Sequence, residues 1–121
     1  MVRGFENITA PLSERDKSEI VPCLVRLLEW RKGRACAIPN RELRAELRSR
    51  SYIISDAKLR ALINYIRTEG LVPRLLANSD GYYVAGCVSE CADYCDSLRE
   101  REAAIRAVRQ ALEAQCAQQL F

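Results

Sequence analysis

The side chains able to do chemistry in this sequence are of one dominant kind. Between positions 31 and 74 stand eleven basic residues: Arg31, Lys32, Arg34, Arg41, Arg44, Arg48, Arg50, Lys58, Arg60, Arg67 and Arg74. Only Glu42, Glu46, Asp56 and Glu69 oppose them, so the segment is net +7 in a chain whose total is +3. The flanks are therefore acidic. A basic centre between acidic segments suits the binding of a polyanion. The plainer alternative is a solvated helical face, because charged residues commonly coat surfaces.

Six cysteines form the second group. Cys87, Cys91 and Cys95 recur at every fourth position, which places thiols along one helical face if all three are helical; Cys87 need not be. A metal site would require a fourth ligand from Cys23, Cys36 or Cys116, since the chain has no histidine. The spacing also departs from the paired C-x2-C pattern of zinc sites. Free thiols acting as small hydrophobes in a reducing cytoplasm are the simpler reading, with no metal and no cofactor. The missing histidine also removes Ser-His and Cys-His nucleophiles. No paired carboxylates stand out, so the expectation is a protein that is not an enzyme.

The elements that must carry these residues fit one domain of 121 residues, 49% hydrophobic and 29% charged, which indicates neither disorder nor a fibrous repeat. No apolar run suits a membrane span or a signal peptide, so a cytoplasmic protein is expected. Residues 1–12 read as an N-terminal arm. Ser13 caps a first helix whose apolar stripe runs from Ile20 to Leu28, with Trp30 as a lid on the core and Pro22 as an interruption or fresh start. Residues 35–39 read as extended because Pro39 disfavours helix before it. Asn40 caps a second helix over 41–48 that buries Leu43 and Leu47.

Ser55 caps a third helix over 56–68, stopped by Gly70 in a left-handed conformation. Leu59, Leu62, Ile63 and Ile66 share its buried face; Ala57, Lys58, Arg60, Ala61, Asn64 and Thr68 lie away from it, with Arg67 at the margin. Two helices joined tightly, the second exposing small, amide and basic side chains, form a helix-turn-helix pattern. A hairpin follows, with strands about 75–77 and 82–85 joined through Asn78-Ser79-Asp80-Gly81. Tyr82 and Tyr83 point to opposite faces, and core packing is expected of both. From a cap at Ser89 onward no glycine or proline occurs. Leu98, Ile105 and Leu112 are spaced by seven, as are Tyr94, Arg101 and Val108, giving a helix of about 45 Å. Its stripe must be covered, most simply by a second copy, or else by folding back on its own domain.

The fold expected is α+β: a winged helix-turn-helix of three helices plus a β-hairpin wing over residues 1–86, then a long C-terminal helix over 87–121 as a dimerisation element. The run from 12 to 112 resembles small winged-helix proteins encoded by phages and prophages. The resemblance rests on "INYIRTEGLVP" (63–73), the wing "NSDGYYVA" (78–85) and "SLREREAAIRAV" (97–108). It implies a DNA-binding module of a replication or regulatory type.

On that architecture the third helix enters the major groove of double-stranded DNA. Arg60 and Asn64 are placed to read bases, since Arg pairs bidentately with guanine and Asn with adenine. Ala61 leaves room for close approach. Lys58 and Arg67 on the same helix, and Arg41, Arg44 and Arg48 on the second, hold phosphates; Arg74 and Asn78 contact the backbone from the wing. The function expected is non-enzymatic DNA binding as a homodimer, in replication or transcription control. The alternative is an adaptor that docks proteins through the same fold.

Overall fold

The computed structural model describes residues 12–119, and their architecture is α+β. The chain divides into two compact units, Met1–Gly86 and Cys87–Phe121. The arm expected over residues 1–12 lies outside the described residues except for Leu12, which packs against the core.

The first helix opens on a reciprocal cap. The Asp16 N–H donates to Ser13 Oγ at 3.1 Å, and the Ser13 N–H donates to Asp16 Oδ2 at 2.8 Å. Each bond satisfies an amide at the start of the helix. A π-helical stretch, Asp16–Ile20, then leads into α1 (Val21–Leu28). The interruption expected at Pro22 takes this form: proline has no N–H to donate, and its ring crowds the carbonyl four residues back. The turn before it widens, and the Val21 N–H reaches Asp16 O. Past Leu28 the chain leaves the helix, so Trp30 is not a core lid. It is 61% exposed, with the Arg31 guanidinium 4.4 Å from its ring centroid.

α2 (Asn40–Ser49) buries Leu43 and Leu47. Its first turn is not capped by Asn40. The Pro39 carbonyl accepts from the N–H groups of Glu42 and Leu43, and Asn40 is already the first helical residue. α3 (Asp56–Glu69) matches its local signals at both ends. Ser55 Oγ accepts from the Lys58 N–H at 3.1 Å. Gly70, at φ +68°, lets the Leu71 N–H reach Ile66 O and its own N–H reach Arg67 O, which satisfies two end carbonyls. Leu59, Leu62, Ile63 and Ile66 are buried as the pattern requires. With Leu24, Leu28, Ile38, Leu43, Leu47, Val72, Leu75 and Val84 they form the core. Each such aliphatic side chain stabilises the fold by roughly 1.5–3 kcal/mol.

β1 (Leu75–Asn78) and β2 (Gly81–Val84) pair antiparallel, Leu75 opposite Val84 and Asn78 opposite Gly81, so the loop is Ser79-Asp80. The segment before α2 is not extended throughout 35–39: Arg34–Cys36 form a 3-10 turn. On either side of it the backbone joins the far edge of β2. Val84 N–H donates to Arg31 O and Gly33 N–H to Val84 O; Tyr82 and Ile38 exchange both of their bonds. Gly81, at φ +123°, makes this approach possible, since a Cβ there would lie 2.2 Å from Ile38 O.

The second unit is α4 (Val88–Gln119), 32 residues or about 48 Å. It begins at Val88, so Ser89 lies within its first turn and does not cap it. The carbonyl of Cys87 accepts from the Cys91 N–H instead, at 3.4 Å.

Candidate functional site

At 100° per residue, Ala57, Arg60, Ala61, Asn64 and Thr68 fall within an arc of about 100° on α3, opposite the buried quartet. Arg60, Asn64 and Thr68 are exposed, while Ala57 and Ala61 are half-buried, giving a face with two low points between longer polar side chains. Arg67 is half-buried at the margin. Lys58 belongs to a different side, about 160° round the helix from Arg60. Its Nζ lies 2.5 Å from Asp16 Oδ2, and the Asp16 side chain is almost wholly buried. Burial pushes the Asp16 carboxyl up, but hydrogen bonds from Lys58 and Ser13 and the Lys58 charge outweigh it and hold the group below its usual value.

The α2 residues also separate. Arg41 and Arg48 are exposed and, seven positions apart, share one face; neither side chain has a hydrogen bond or ion pair among the described residues. Arg44 is half-buried and acts as a strut. Its Nε donates to Ile54 O at 3.0 Å and its Nη1 to Asp56 Oδ1 at 3.3 Å, joining α2 to the start of α3. Arg74 is exposed in a left-handed conformation at φ +59°, and its carbonyl accepts from the Ala85 N–H. Asn78 Oδ1 accepts from the Asp80 N–H across the hairpin loop. At the tip, Asp80 pairs with Arg34 at 3.4 Å.

Sequence reasoning placed Tyr82 in the core and Asn40 at a cap; both belong to this surface as well. Tyr82 packs against the core while remaining half-buried. Burial pushes its phenol up, and Asn40, Arg60 and Arg67 pull it partway back. Beside the phenol is a depression of about 220 Å³ lined by Asn40, Ala77, Asn78, Ser79, Gly81 and Tyr82. Asn40 Oδ1 and Asn78 Nδ2 are buried there without a hydrogen-bond partner among the described residues. No local signal marked Asn40 for this surface, because Asn before an apolar stripe reads equally well as a cap.

Among the described residues, no three His, Cys, Asp or Glu side chains are grouped to hold a metal ion. The Cys87 thiol is lowered, chiefly by a hydrogen bond with Ser89, whose Oγ is 3.2 Å from its Sγ. No described helix is long and apolar enough to cross a membrane. Comparison with known proteins finds no matching family, no matching curated protein and no matching solved structure.

Proposed function

We propose that this chain is a non-enzymatic, cytoplasmic DNA-binding protein with a winged-helix first unit, acting as a homodimer in replication or transcription control of the phage type. The order of three helices and a hairpin, with the 31–38 segment laid on β2, supports the winged-helix reading. One observation carries the DNA reading. The outer face of α3 sets Arg60 and Asn64 beside the low positions Ala57 and Ala61. A helix of that relief fits a major groove while the hairpin lies along the backbone. Arg41, Arg48 and Arg74 supply charges for phosphates.

The test is fluorescence anisotropy with random-sequence duplex DNA at two salt concentrations. Binding that weakens steeply with salt is expected, because each phosphate contact releases condensed counterions. Absence of binding at low salt overturns the proposal. A second reading, a protein-docking adaptor, has its own support: Lys58 and Arg34 spend their charges on Asp16 and Asp80, acids that lie outside the segment. That leaves the +7 segment less positive toward solvent than its composition suggests.

A further inference from the structure

α4 exposes a narrow apolar seam that nothing in its own unit covers: Leu98, Ile105, Val108 and Leu112, with Ile105 70% exposed. The seam follows the seven-residue repeat of a two-stranded coiled coil, in which Arg101 occupies one inward position. We infer that its occupant is the same helix of a second copy, running antiparallel, with Ile105 packed on the partner's Val108 and Arg101 on the partner's Leu112. This rests on the homodimer proposed above and specifies its direction and register.

Three features select the antiparallel arrangement. In a parallel pair in register, Arg101 would meet the partner's Arg101 inside the seam. In the antiparallel register it lies against leucine, its alkyl stem along the seam, and the two guanidinium groups start about 16 Å apart along the axis. On one flank of the seam stand Glu102 and Arg109, of opposite sign and one heptad apart. The antiparallel register brings Glu102 beside the partner's Arg109 twice, whereas a parallel pair would set this flank against uncharged Ser97 and Ala104. On the other flank Ala104 faces the partner's Ala111, and two small side chains let the helices approach closely. The present partners, Glu113 for Arg109 and Arg106 for Glu102, are exposed pairs one turn away that contribute little and leave these charges available.

The same register provides a test in the native chain. Cys95 and Cys116 are exposed thiols on the Glu102 flank, and the register puts each opposite the other's counterpart. Within one helix they are about 31 Å apart, so a short bismaleimide can join them only between chains. Sedimentation of the full-length protein is expected to give a dimer, and peptide mapping after cross-linking to give Cys95 joined to the partner's Cys116. A dimer whose links join Cys116 to the partner's Cys116 overturns the antiparallel register and leaves the homodimer standing. A monomer overturns both, while DNA binding is judged by its own assay. Glu102→Arg is expected to weaken the dimer about three- to tenfold, and adding Arg109→Glu to restore it. Unchanged dimerisation in Glu102→Arg overturns the register, since the flank would then face no charge.

Discussion

Arg44 and Arg48, one turn apart on α2, illustrate why residue type alone does not assign a role. Arg44 is held by Ile54 O and Asp56, and Arg48 reaches solvent unengaged among the described residues. The same division separates Lys58 from Arg60 on α3. If the proposed surface binds DNA, Arg60→Ala with Asn64→Ala relaxes sequence preference, read by comparing specific and random duplexes. Arg48→Ala instead weakens all sequences alike and reduces the log–log salt slope by about 1. Lys58→Met acts on stability. It leaves the Asp16 carboxylate buried without its cation, at a loss of about 1–3 kcal/mol that the partial exposure of Lys58 moderates. Because the Asp16 pKa is lowered in the fold, its contribution is present above the unfolded value of about 3.9 and is lost as pH falls through the folded value. Asp16→Asn should therefore flatten the acid limb of a stability–pH profile followed by denaturant unfolding; an unchanged limb would remove Asp16 from this role.

At the scale of elements, the hairpin depends on Gly81 more than on any strand propensity. Gly81→Ala meets both a positive φ and the Ile38 carbonyl, and a loss of about 2–4 kcal/mol is expected in urea unfolding. What was legible in the sequence followed the range of its causes. α3 was read correctly in its buried face and its ends because Ser55, Gly70 and the spacing of its apolar residues all act within a few positions, whereas Lys58, expected on the outer face, pairs with Asp16 on another side. The strap of residues 31–38 was not legible, since its bonds are made with a strand more than forty residues later and leave no periodic trace. Asn40 was misread because Asn before an apolar stripe is a common cap, and only the fold shows the Pro39 carbonyl taking that place. Of the candidate site, the exposed face with Arg60 and Asn64 was legible from helical phase. The internal use of Arg44 and Lys58 was not, because their acidic partners are set by how helices pack.

For the whole molecule, the distribution of burial separates two tasks. All the buried apolar side chains among the described residues lie between Ile20 and Ala85, within the first unit. Residues 1–86 expressed alone should therefore keep a cooperative thermal transition by circular dichroism while sedimenting as a monomer; loss of that transition would show that the long helix is needed to fold the first unit. β2 has a further bearing on how the whole would meet DNA. Its backbone is hydrogen-bonded along both edges, by β1 and, at Val84 and Tyr82, by the strap, which ties the hairpin to the chain leading into α2. On the proposed reading the spacing between α3 and the wing is then fixed before any duplex arrives. Strain from an ill-fitting groove is borne by the nucleic acid, and its size depends on the stiffness of the base steps spanned. Such a protein would prefer some sequences at positions that it never touches.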